Sequence, residues 1–163
     1  MTDADPIASR VLATLTERGL TLAIAESLTG GLLTAAIVDV PGAATALRGG
    51  IVAYDTRVKH TLLGVDADLL ASAGAVDPRV AIAMARGVRA ATALDTATSI
   101  GLATTGVAGP DAQDGKPPGT VHLGISTDAG DSARSLVLSG GRAEIRRAAV
   151  AAALQLLADT LGS

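Results

Sequence analysis

Leu22-Ala23-Ile24-Ala25-Glu26-Ser27-Leu28-Thr29-Gly30-Gly31 is the stretch that decides the fold of this chain. A short apolar run stops there at a carboxylate, two hydroxyls and a glycine pair. Apolar residues then resume at Leu32, Leu33, Ala35, Ala36 and Ile37. The pattern predicts a buried strand over 21–25 that feeds straight into a helix over 27–39. Such a junction carries free backbone N–H groups and the positive end of the helix dipole, a setting suited to an anion or a developing oxyanion. A serine placed there is a candidate nucleophile or a helix cap, and residue type alone leaves both open.

Working outward, Asp5-Pro6 supplies a cap and a proline for the first helical position, and Ile7, Val11, Leu12 and Leu15 line one face of a helix that ends near Gly19. Pro41-Gly42 breaks the helix after the opening stretch. A second short strand is expected over Gly50–Tyr54, followed by a helical segment from Thr56 to Leu63. Asp66 caps a short helix that stops at Gly74. Asp77-Pro78 then opens a helix to about Leu94, with Ala81, Met84, Ala85 and Val88 on one face. Thr98–Ala103 reads as a buried strand ending in Thr104-Thr105-Gly106, and 107–119 as a Gly/Pro/Asp-rich loop. Residues 119–126 and 133–138 read as an antiparallel hairpin turning around 128–131. A last helix is expected over 142–158, with Ile145, Ala149, Ala152 and Leu156 facing inward.

Alternating strands and helices predict an α/β fold, a three-layer α/β/α sandwich whose mixed, mainly parallel sheet carries an antiparallel hairpin. Sites in such folds gather beyond the carboxyl ends of the strands. That rule brings together Glu26-Ser27, the residues from Tyr54 onward, and Thr104-Thr105-Gly106.

The 163 residues suit one domain spanning 1–163. No apolar stretch approaches the roughly 18 residues of a membrane span. The start, Met1-Thr2-Asp3-Ala4-Asp5, is acidic, unlike a signal peptide. There is no cysteine, which excludes disulfides and thiolate chemistry. These features point to a cytoplasmic protein without a membrane partner. A net charge of -3 and a pI near 5.2 argue against nucleic acid as a partner, since that grip needs a basic face.

Two scarcities narrow the chemistry. Tyr54 is the only tyrosine, and Lys59 and Lys116 are the only lysines against eleven arginines. Arg does not release its proton at ordinary pH, whereas Lys can, so a lysine in this background stands out. Lys59 lies five residues beyond Tyr54. Gly115-Lys116 is no phosphate loop, because Pro110 and Pro117 occupy the required Gly and Ser/Thr positions. Ser27 is no nucleophile elbow, because Ala25 and Thr29 replace its glycines. His60 and His122 are the only histidines, and neither sits in a metal-ligand pattern; a Ser-His-Asp triad through either stays open.

Several ordered segments together closely resemble the C-terminal domain family of the competence/damage-inducible protein CinA. They are Glu26 to Gly31, the Tyr54/Lys59 pair, Thr105-Gly106-Val107-Ala108-Gly109-Pro110, Lys116 to Thr120, and Gly141-Arg142 with Ile145-Arg146. Stand-alone members of that family are nicotinamide-nucleotide amidohydrolases. The resemblance implies hydrolysis of the carboxamide of nicotinamide mononucleotide to nicotinic acid mononucleotide and ammonia, with no cofactor and no metal, by a homodimer.

The family's serine falls on Ser27, its lysine and tyrosine on Lys59 and Tyr54, and its TG-x-AGP turn on Thr105 to Pro110. In that role Ser27 supplies the hydroxyl and Lys59 the base. Tyr54 orients Lys59, relays a proton or packs on the pyridinium ring. Backbone N–H groups around Thr29, Gly30 and Gly31 hold the oxyanion. Glu26 fixes the turn or meets ribose hydroxyls, and Thr105 and Gly106 bind phosphate or ribose. The chain departs from the family pattern at Asp111-Ala112-Gln113-Asp114-Gly115, where relatives often carry glycines, and at Gly141, where they often carry an acid.

Overall fold

The computed structural model describes residues 4–163; Met1, Thr2 and Asp3 of the acidic start lie outside the described residues. Five strands form one sheet in the order β2-β1-β3-β4-β5. They are β1 (Leu22–Glu26), β2 (Leu47–Val52), β3 (Ile100–Gly106), β4 (Thr120–Thr127) and β5 (Gly130–Val137). β1 pairs in parallel with β2 on one side and β3 on the other, and β3–β4 and β4–β5 are antiparallel. The helices are α1 (Pro6–Glu17), α2 (Leu32–Val38), α3 (Thr56–Leu63), α4 (Ala67–Ala73), α5 (Pro78–Ala91) and α6 (Arg142–Leu161). The expected α/β sandwich with a mixed sheet is the observed architecture.

The two faces of the sheet are built from residues of different size. Alternation sends Leu22, Ile24, Leu102, Leu123 and Ile125 to the face covered by α1, α2 and α6. The other face receives Ala23, Ala25 and Ala103, under Val80, Met84, Ala85 and Val88 of α5 and Leu63 of α3. The small residues let α5 lie nearly against the strands. A Cβ on Gly101 would stand 2.0 Å from the Ala85 carbonyl oxygen, and one on Gly124 would stand 2.1 Å from that of Ala81. α3 approaches α5 as closely, since a Cβ on Gly87 would meet the Leu63 carbonyl oxygen at 1.9 Å. In a chain without Phe or Trp, layers close by removing side chains rather than by interlocking large ones.

The boundaries differ from the sequence expectation where glycine governs. α2 starts at Leu32, not at residue 27, because Gly30 and Gly31 adopt φ of 59° and 98°, outside the right-handed helical region. Residues 27–31 are therefore a free-standing turn. β2 begins at Leu47 and ends at Val52, leaving Tyr54 just beyond the strand, and a short 3₁₀ turn (Ala43–Thr45) precedes it. β5 starts at Gly130, so the hairpin turn is tighter than expected.

The chain runs from β1 outward to β2, then back across the sheet to β3. β1 and β3 thus diverge at their carboxyl ends, the topological switch point where an open α/β sheet leaves a crevice. Ser27 follows one of these ends and Thr104–Gly106 forms the other.

Because Gly124 seats α5, Gly124→Ala should lower the unfolding free energy by about 1–3 kcal/mol, read as a reduced midpoint at unchanged slope in urea. A change within about 0.5 kcal/mol would show that α5 is not held at that distance by the missing side chain.

Candidate active site

The turn after β1 is built around one carboxylate. Glu26 is fully buried, and its two oxygens accept from the backbone N–H groups of Gly31 (2.9 Å), Leu33 (3.1 Å) and Thr34 (2.8 Å) and from the Thr34 hydroxyl (2.7 Å). These are the orphan donors of the α2 N-terminus, and a carboxylate there also meets the positive end of the helix dipole. Of the two roles open for Glu26, the geometry commits it to holding the turn; it does not line the neighbouring cleft. The position of the cap also explains why Ser27 is free. The expected cap role belongs to a residue one place earlier, and Ser27 Oγ bonds elsewhere.

That bond is with Lys59. Lys59 projects from α3, is 1% exposed, and donates from Nζ to Ser27 Oγ at 2.9 Å, to the Ala53 carbonyl at 2.7 Å and to the Tyr54 carbonyl at 3.4 Å. α3 is set in register by Asp55, whose side chain caps it at the Arg57 N–H, and by Gly64, left-handed at its end. Among the described residues no carboxylate bonds the ammonium. Burial pulls the Lys59 pKa from 10.5 down to about 8, with Asp55 opposing weakly. Arg57, a candidate neighbouring cation, instead pairs with Asp55 at 3.3 Å on the surface.

A cleft of about 540 Å³ opens over Ser27. Ser27, Leu28 and Tyr54 line one side, Thr105 to Pro110 the other, with Asp111 and Arg142 at its rim. Tyr54 is exposed, and its hydroxyl accepts from Arg142 Nη2 at 2.9 Å, so Tyr54 touches Lys59 only through its main-chain carbonyl. Arg142, at the first turn of α6, also donates to the Gly109 carbonyl at 2.7 Å. Thr105 reaches the cleft, while its hydroxyl donates to the Ala75 carbonyl at 2.7 Å. Gly106 lines the same wall.

The other expected binding residues lie behind the turn. Thr29 is fully buried, with its hydroxyl 2.8 Å from that of Thr104 on the opposite sheet face from Thr105. The Gly30 and Gly31 N–H groups donate to the Ser27 carbonyl and to Glu26, so neither is free for an oxyanion. The N–H groups of Leu28 and Thr29 have no partner among the described residues. The donors of the turn therefore sit earlier than the glycines suggested.

Nearby charges are also tied down. Asp114 accepts from the Ala75 N–H at 3.3 Å and Lys116 donates to the Ala73 carbonyl at 3.0 Å, strapping the loop after Pro110 to the end of α4. Of the two loop carboxylates, only Asp111 lines the cleft. His60 and His122 bond to the Val65 carbonyl and the Ser135 hydroxyl, each at 2.8 Å, and neither lines the cleft. Arg142 and Arg146 were missed as site residues. In a chain whose default cation is Arg, composition marks neither, and the one signal was their place in the Gly141-Arg142 and Ile145-Arg146 segments of the family resemblance.

The family described as "CinA C-terminal domain" matches residues 4–161. The chain belongs to that family. A CinA-like protein of Frankia casuarinae is 52% identical over 153 residues, and one of Syntrophotalea carbinolica 41% over 160 residues. These alignments cover 94% and 98% of this chain but 34% and 38% of the relatives, so the chain spans about a third of their length. The crystal structure of the competence/damage inducible protein CihA from Agrobacterium tumefaciens superposes with a TM-score of 0.89 at 32% identity, over 100% of this chain and 98% of that one. A competence or damage-inducible protein from Enterobacter asburiae superposes with a TM-score of 0.90 at 29% identity, covering 95% and 96%.

The Glu26 cap gives a direct test. Glu26→Gln keeps the shape but replaces one acceptor oxygen by an NH₂ group that faces backbone donors. It should cost about 2–3 kcal/mol of stability, measured by chemical denaturation. An unchanged midpoint would mean that the turn is held without the carboxylate.

Proposed function

We propose that this chain is a Ser/Lys amidohydrolase that converts nicotinamide mononucleotide to nicotinic acid mononucleotide and ammonia. The observation that carries the reading is the 2.9 Å contact between Ser27 Oγ and the Nζ of a buried lysine that has no carboxylate partner among the described residues. A lysine with a pKa of about 8 is one-tenth neutral near pH 7, enough to act as a base.

The steps balance without a further group. Neutral Lys59 takes the Ser27 hydroxyl proton as Oγ bonds to the carboxamide carbon, and the carbonyl oxygen becomes an oxyanion. The Lys59 ammonium then gives its proton to the amide nitrogen, the C–N bond breaks and ammonia leaves an acyl ester on Ser27. Water, deprotonated by Lys59, attacks that ester, and Ser27 regains its proton as the carboxylate departs. At the other end of the substrate, Arg142 at the rim of the cleft suits a phosphate, and the Tyr54 ring beside it offers a face to the pyridinium. Thr105 and Gly106 form the wall against which the ribose would lie. Homodimerisation, implied by the resemblance, would give a partner to the free edge of β2, where Val52 is exposed.

Ser27→Ala and Lys59→Ala should each lower ammonia release from the mononucleotide by at least about 10³-fold while the far-ultraviolet circular dichroism stays unchanged. Near-normal turnover in either variant removes that residue's role. A parent chain that binds the mononucleotide without releasing ammonia removes the enzymatic reading altogether.

The pH profile follows from the free lysine. The base must be unprotonated, so kcat/KM should rise tenfold per pH unit below about 8 and level off above it. A profile flat across about pH 6 to 9 would exclude Lys59 as the base.

A further inference from the structure

Arg146, on α6, spends its charge on main-chain carbonyls rather than on an acid. Its Nε donates to the Leu28 carbonyl and its Nη2 to the Thr29 carbonyl, both at 2.9 Å. Among the described residues no ion pair includes it. It passes close over Gly30, where a Cβ would stand 3.2 Å from Nη2 and ask the guanidinium to yield by a few tenths of an ångström.

The direction of each peptide in the turn follows from these bonds. The Ser27 carbonyl accepts from the Gly30 N–H, and the Leu28 carbonyl accepts from Arg146. In a trans peptide the N–H points opposite to the C=O. The N–H groups sharing those two peptides, of Leu28 and Thr29, are therefore turned away from the groups that hold their carbonyls. They are also the two amides of the turn with no partner among the described residues. Leu28 directly follows Ser27 and lines the cleft with it. A guanidinium on the Leu28 carbonyl withdraws electron density from that peptide and makes the Thr29 N–H a stronger donor.

Resting on the Ser/Lys reading above, we infer that the Leu28 and Thr29 amides form the oxyanion site and that Arg146 is its positioning residue. Arg146 touches no reacting atom. It fixes and polarises the peptide that supplies the second donor, so its loss acts in the transition state more than on substrate binding.

Arg146→Ala should lower kcat about 10²–10³-fold, the loss expected for one oxyanion donor, with KM within about threefold. Guanidinium ion added to this variant should restore kcat at least about tenfold by refilling the gap between the two carbonyls, which a merely structural defect would not allow. Arg146→Lys, whose single ammonium cannot hold both carbonyls as a fork does, should fold and still lose about tenfold in kcat. It carries the test if the alanine variant does not fold. Turnover within about threefold of the parent in Arg146→Lys and Arg146→Ala, or a loss confined to KM and not rescued by guanidinium, overturns the inference. A parent chain that releases no ammonia overturns the amidohydrolase reading instead, and that result is visible before any Arg146 variant is made.

Discussion

The Glu26 carboxylate, buried under the start of α2, is the interaction on which the arrangement of the turn depends. Three backbone amides and one hydroxyl converge on it. A buried carboxylate is costly unless its lone pairs are filled, and here the helix terminus fills them while its dipole favours the charge. The same bonds set where the helix begins. With its amides drawn back to residue 26, α2 starts at Leu32, and the two left-handed glycines let residues 27–31 stand apart from both strand and helix. Ser27 is thereby held on a rigid support, nearly buried, with its hydroxyl free to meet another side chain.

What it meets is set by packing on the opposite face of the sheet. α5 lies against β3 and β4 because glycines leave room, and α3 lies against α5 for the same reason. This stack fixes α3 tightly enough to aim Lys59 at the end of β1. An aspartate in that pocket would keep the ammonium charged. Carbonyls and a hydroxyl satisfy its hydrogen bonds without supplying a full countercharge, and burial then wins. The fall from 10.5 to about 8 corresponds to roughly 3 kcal/mol against the charged form. The fold thus stores part of its packing energy as a lysine that gives up its proton near neutral pH.

The architecture was legible because its signals are local. Apolar runs, Asp-Pro caps and glycine breaks mark the helices and strands, and the differences are of bounds: the edges of β2, β5 and α2 moved, β3 runs Ile100–Gly106 rather than 98–103, α5 stops at Ala91 and α6 runs on to Leu161. Ser27, Lys59 and the Thr105–Gly106 wall were also legible, the lysine through its rarity. The Gly30 and Gly31 amides were assigned to the ligand, whereas the structure spends them on the turn; of the two roles open for Glu26 it takes the supporting one, and the Thr29 hydroxyl is turned to Thr104. Sequence adjacency to a reactive residue does not tell a supporting group from a contacting one, because that depends on which way each peptide faces. Arg142 and Arg146 were hidden for a different reason: their partners are carbonyls at separations of 33 and 118 residues, and carbonyls have no residue-type signature.

These two arginines make the last helix part of the site. They lie four residues apart, hence on one face of α6. Arg142 joins Tyr54 to the loop at Gly109 across the cleft rim, and Arg146 grips the turn that carries Ser27. On the same helix, Ile145 and Ala149 are buried in the core cluster that includes Leu102 of β3 and Leu123 of β4. A shift of α6 would therefore move the rim and the Ser27 turn together. On the proposed reading, the rim at the substrate's anionic end and the amides at its reacting end are held by one rigid element. Their separation is then a property of the helix, set by core packing, and a ligand that fits one end is presented in register to the other.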